Sequence, residues 1–121
     1  MLVRDIVEKL ELDVFSGKDH LEKEITGGII SDMLSDVMAQ AKKGALWVTN
    51  QTHENVLAIL FFKSLAAVIL PGGLELDQDA AEKALEKNLP VLRTHLSAFE
   101  LVGRLYALGI ENQKTVIEQK A

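Results

Sequence analysis

The hydrophobic pattern changes period repeatedly along the chain, and each change marks an element. Ile6, Val7 and Leu10 share one face at helical spacing, which predicts a short helix over Val3–Leu10. Leu12–Phe15 reads as a strand closed by Ser16-Gly17, and Lys18–Lys23 as a polar connection. Ile25–Ile30 reads as a strand in which Gly27 and Gly28 mark close backbone approach or a bulge. Asp32 is placed to cap a helix over Met33–Lys43, with Lys42, Lys43 and Gly44 forming its C-terminal end. Ala45–Thr49 is the next strand, and Thr52 the expected N-cap of an apolar helix over His53–Ser64. A strand over Ala66–Leu70 follows, then a helix over Asp79–Lys87 opened by the Asp79/Glu82 pair. After a strand over Pro90–Thr94, the box Ser97-Ala98-Phe99-Glu100 opens a helix to Leu108, stopped by Gly109. Residues 110–121 are polar around isolated Val116 and Ile117, and read as an extension that is helical or frayed.

Strands and helices alternate with short links, which predicts parallel strands joined by crossovers. The run Ala66-Ala67-Val68-Ile69-Leu70 has no polar alternation, as expected of a strand buried on both faces. The fold class is α/β: a three-layer α/β/α domain with a mostly parallel sheet of four or five strands. Trp47, Met33 and Met38 are assigned to its core. The helix His53–Ser64 is apolar nearly all round, whereas a surface helix needs only one stripe, and Ser97–Leu108 is similarly broad. A homodimer accounts for both, with Val56, Leu57, Leu60, Phe61, Phe99 and Tyr106 as its expected interface.

Three strand-to-helix junctions fall at the carboxyl edge of such a sheet, where ligands bind in open α/β folds. The first is Asn50-Gln51-Thr52-His53, where hydroxyl, amides and imidazole meet a helix N-terminus, a combination that suits a phosphate or carboxylate. The second, Pro71-Gly72-Gly73, permits close approach of a ligand to the backbone. The third is Thr94-His95. No carboxylate stands at a recognisable ligand spacing from either histidine, so no metal site is assigned and no cofactor is implied. The chain lacks a Walker-type phosphate loop, a G-x-G-x-x-G turn opening a helix and a G-x-S-x-G elbow, which leaves no catalytic residue to name.

Composition narrows the field further. The chain has 121 residues, 48% of them hydrophobic and 26% charged, an ordinary balance for one domain with a single core. A net charge of -5, with the 13 Lys and Arg scattered along the sequence, argues against nucleic acid or an anionic membrane as partner. Zero cysteines exclude disulfides, thiolate metal sites and thiol nucleophiles. With no signal-like segment and no apolar run beyond seven residues, a cytoplasmic, soluble domain is expected.

Over about residues 1–109 the chain resembles the DRTGG domain family. The resemblance rests on Leu46-Trp47-Val48-Thr49-Asn50-Gln51-Thr52-His53-Glu54-Asn55-Val56, then Val68-Ile69-Leu70-Pro71-Gly72-Gly73, then Pro90-Val91-Leu92-Arg93-Thr94. Thr52-His53 stand where the family has its Asp-Arg pair, and Pro71-Gly72-Gly73 where it has Thr-Gly-Gly. Replacing the arginine by histidine removes a permanent bidentate anion donor. Such domains resemble the N-terminal part of HPr kinase/phosphorylase and accompany some phosphotransacetylases and pyrophosphatases. The resemblance implies a stand-alone regulatory or interaction domain, homodimeric, with a protein partner or a small ligand. The alternative it implies is a sensor of an adenine nucleotide or similar anion at the carboxyl edge. Without a phosphate-binding loop the chain is not expected to be a kinase.

Overall fold

A computed structural model describes residues 1–113. The order of elements is α1 (Val3–Leu10), β1 (Asp13–Ser16), a 3₁₀ turn (Lys18–His20), β2 (Gly27–Ile30), α2 (Leu34–Gln40), β3 (Ala45–Val48), α3 (Asn55–Phe62), β4 (Ala67–Leu70), α4 (Gln78–Glu86), β5 (Val91–Arg93) and α5 (Ala98–Ala107). The five strands form one sheet in the order β1-β5-β4-β3-β2. Only β1 is antiparallel to its neighbour.

Side chains alternate through the sheet into two cores. Trp47, Val68, Leu70 and Val91 face α2, α3 and α4, whereas Leu46, Val48, Ile69 and Leu92 face α1 and α5. This is the three-layer arrangement expected, and it follows from the winding. Strands β2 to β5 are laid down in one direction across the sheet, so same-handed crossovers put α2, α3 and α4 on one face. The strand order never reverses among the parallel strands, so they form no switch-point crevice of the kind that holds nucleotides in doubly wound sheets.

Several local expectations are corrected. Helix α2 ends at Gln40, not Lys43, because the buried Gln113 side chain takes over its end. The Gln113 amide donates to the Gln40 carbonyl at 2.7 Å, and its oxygen accepts the Lys42 N–H at 3.0 Å. Met33 and Met38 are exposed, since α2 buries only Val37 against the core. Trp47 is fully buried and its indole N–H donates to the Ser31 carbonyl at 2.9 Å. Residues 110–113 are neither helical nor frayed: Ile110 enters the α1/α5 core, and Asn112 pairs in parallel with Gly28 at the sheet edge. Residues 114–121, the rest of the expected extension, lie outside the described residues.

The expected dimer surface divides. Val56, Leu57 and Leu60 are core residues of the chain itself, covered by the sheet and α2 side of the domain. Phe61, Phe99 and Tyr106 are exposed, but Phe61 lies on the α3 face and the other two on the opposite α5 face. One two-fold interface cannot be centred on both.

Candidate functional site

The carboxyl ends of β2 to β5 bring the predicted loops to one edge, where they settle into two clusters. In the first, Asp32 does not cap α2, whose N-cap is Met33; the Ser31 hydroxyl accepts the Met33 N–H at 3.1 Å ahead of the helix. The Asp32 carboxylate instead receives the Thr49 hydroxyl at 2.8 Å, the Asn50 N–H at 2.7 Å and the Asn50 amide at 3.2 Å. The Gln51 amide donates to the Asp32 carbonyl at 2.8 Å. Burial pushes the Asp32 carboxyl up, but the hydrogen bonds from Asn50 and Thr49 outweigh it and hold the group below the usual carboxylate range. The donors of this turn are thus already satisfied by an anion, and that anion is the chain's own.

The second cluster joins the β4 and β5 loops. Gly72 N–H donates to the Leu96 carbonyl at 2.7 Å, and Gly73 N–H to the Thr94 carbonyl at 2.9 Å. Both glycines have positive φ, and a Cβ on Gly73 would stand 3.0 Å from His95 Nδ1, so the imidazole lies against bare backbone. A cleft of about 170 Å³ there is lined by Gly73, Thr94 and His95 together with Glu11, Asp13, Glu75 and Arg93. Arg93 is the only permanent cation among these, and it is engaged. Its guanidinium donates to Asp13 at 2.8 Å and to Glu75 at 3.4 Å, and lies 4.7 Å over the Phe15 ring.

Thr52 and His53 belong to neither cluster. The Thr52 hydroxyl donates to Asp77 at 2.9 Å and so does not cap α3, whose N-cap is Glu54. His53 Nδ1 accepts the Asn55 N–H at 3.1 Å, and the His53 carbonyl accepts the Val56 N–H at 3.0 Å. The first N–H groups of α3, the reason for expecting an anion there, are therefore turned inward. A further cleft of about 100 Å³ is lined by Asp32, Thr49 and Asn50. Both volumes are small beside the roughly 300–1,000 Å³ typical of small-molecule pockets. Among the described residues no three His, Asp or Glu side chains are grouped to hold a metal ion. Asp32, Asp77 and Arg93 were the participants sequence reasoning missed; their partners are distant in the chain, and no local spacing announces them.

Comparison with known proteins settles the family. The DRTGG domain matches residues 5–108. The chain belongs to that family. Among curated relatives of this DRTGG chain is an HPr kinase/phosphorylase from Streptococcus gordonii, 28% identical over 119 residues, an alignment covering 85% of the chain and 38% of the relative. Among solved structures, the CBS and DRTGG regulatory region of Clostridium perfringens pyrophosphatase, complexed with its activator diadenosine tetraphosphate, superposes with a TM-score of 0.63 at 14% identity. That match covers 95% of this chain and 51% of the other, and it confirms the fold. The DRTGG chain thus spans well under half of the kinase and about half of the solved regulatory chain. No helix among the described residues is long and apolar enough to cross a membrane.

Proposed function

We propose that this DRTGG domain is a non-catalytic regulatory and interaction module that pairs with a second copy of itself through the α3–α4 face. The carrying observation is the pair Phe61 and Phe62, each 70% exposed, their rings edge-to-face at 6.2 Å. They stand beside a groove of about 540 Å³ between α3 and α4, floored by Leu57, Ala58 and Leu89 and rimmed by Lys83 and Lys87. Phe61 lines that groove and Phe62 does not, so each copy offers both a cavity and an unseated ring, as a self-complementary two-fold contact requires. Covering a phenylalanine contributes roughly 1.5–3 kcal/mol.

Light scattering at tens of micromolar tests this. The wild-type chain is expected at twice its monomer mass and Phe62→Ser at the monomer mass with an unchanged circular dichroism spectrum. Phe99→Ser, on the other face, is expected to leave the mass of the dimer unchanged. A wild-type chain that runs as a monomer overturns the pairing.

An anionic nucleotide at the carboxyl edge is the weaker reading. The Thr49, Asn50, Gln51 and Thr52 side-chain donors there are occupied, and in the second cluster Glu11, Asp13 and Glu75 line the cleft with a single engaged arginine. That balance favours a neutral or cationic group against Gly72, Gly73 and His95.

A further inference from the structure

The opposite edge of the sheet has the reverse charge. Here the amino ends of β2, β3 and β4 meet, and a cavity of about 390 Å³ opens between them, lined by Lys23, Glu24, Thr26, Lys43, Gly44, Ser64 and Ala66. Lys23 and Lys43 are 20 residues apart in sequence and reach the same cavity only because β2 and β3 are neighbours. The ion pairs of the described residues leave both lysines without a carboxylate. Glu24, the one acid in the lining, is held by the Met1 ammonium at 3.2 Å. Lys42 and Lys63 adjoin Lys43 and Ser64 in the chain, and no described ion pair takes them either. In a chain of net charge -5, this is a concentration of unneutralised cations that the linear sequence, with its scattered lysines, does not display.

The backbone around the cavity is fixed. Thr26 N–H donates to the Gly44 carbonyl at 3.0 Å, and Gly44 N–H to the Ser64 carbonyl at 2.9 Å. The Thr26 hydroxyl donates to the Lys43 carbonyl at 2.9 Å, which holds the turn that carries Lys43. Gly44 has φ 81°, and a Cβ there would meet Thr26 Cγ2 at 2.8 Å, so the turn requires glycine. Ser64 is held at φ 51°, and its hydroxyl enters no described hydrogen bond. Lys23, Lys43 and Ser64 thus line one cavity, which is larger than either cleft at the carboxyl edge.

We propose that this amino-edge cavity binds a phosphate-bearing small molecule, with Lys23 and Lys43 neutralising the phosphate and the Ser64 hydroxyl donating to it. A phosphate dianion matches two point charges and one hydrogen-bond donor, and lysine serves phosphate in that way. Burial lowers the pKa of Lys23, and a bound anion would offset that destabilisation of its charged form. The lysine stems and Ala66 leave apolar wall for the body of an ester. This site does not depend on the pairing proposed above.

The test is a titration of the isotope-labelled full chain with inorganic phosphate and, separately, with AMP. It is followed by amide NMR at constant ionic strength maintained with chloride. Saturable shifts are expected at Thr26, Gly44 and Ser64, weakened at least about tenfold in Lys23→Met and in Lys43→Gln. Lys43 is exposed, so its variant carries the test should Lys23→Met fail to fold. Equal affinity for the two probes assigns recognition to the phosphate alone, and tighter AMP adds a nucleoside contact; both support the site. Shifts that never saturate, that persist undiminished in Lys43→Gln, or that centre on Thr49–Thr52 and Gly72 overturn it.

Discussion

At the carboxyl edge of the sheet the loops are rich in hydroxyls, amides and histidines, yet the Thr49 and Thr52 hydroxyls, the Asn50 and Gln51 amides and the Gly72 and Gly73 N–H groups are spent on the chain's own Asp32, Asp77 and backbone carbonyls. At the amino edge the loops look unremarkable in sequence, yet two lysines without a described ion pair and a serine line one cavity. The difference teaches that polar composition marks a place where a site can form, while tertiary pairing decides whether its groups remain available. A hydrogen-bonded carboxylate in the midst of such a loop is as effective a competitor as a bound anion.

The comparison is open to test by substitution. The largest effect is expected from Trp47→Ala, which empties the core under the carboxyl edge and releases the Ser31 carbonyl that the indole holds beside Asp32. A loss of about 3–5 kcal/mol is expected in urea unfolding. Next is Gly44→Ala at the amino edge, where positive φ and the clash with Thr26 act together, for about 1–3 kcal/mol. Gly72→Ala, at the carboxyl edge, shares the positive φ, but its Cβ would have no heavy atom within 4 Å. It should cost less than Gly44→Ala in the same assay, and the reverse order would contradict the account of a rigid amino edge. Asp32→Asn should have a smaller effect that depends on pH. Because the folded carboxyl sits below its ordinary value, its stabilisation is present above about pH 4 and is lost as the pH falls through the folded value. The gap between wild type and Asp32→Asn should therefore close on acidification, as followed by thermal unfolding. The smallest change is expected for Lys83→Ala, which removes an exposed ion pair with Glu54 and should shift stability by less than about 1 kcal/mol.

Much of the fold was legible because its signals are local. The strands around Trp47 and Ile69 lack polar alternation, and a strand buried on both faces requires just that. Ser97 caps α5 through the Glu100 N–H at 3.2 Å, as its spacing predicts. What failed depended on partners far along the chain. Thr52 looked like a cap because nothing nearby competes for its hydroxyl; Asp77, 25 residues on, does. The sidedness of α3 and α5 is a property of winding, and so two equally apolar helices were assigned to one interface when the sheet separates them. Lys43 reads in sequence only as a helix end for the same reason, since the adjacency of strand starts that brings it to the cavity of Lys23 is invisible in one dimension.

The pairing of Asn112 with Gly28 has a further consequence. Strand β2 is the last in the sheet, and its outer backbone groups are met at Gly28 by the Glu111 carbonyl and the Gln113 N–H, both at 2.8 Å. Gly27 accommodates this, because a Cβ there would come within 2.9 Å of Gln113 Cα. The family match stops at residue 108, short of this contact. A chain trimmed to that boundary would keep its helices and lose its edge guard, leaving an open strand as a template for other chains. Removal of the four residues after Gly109 is therefore expected to be felt first in solubility.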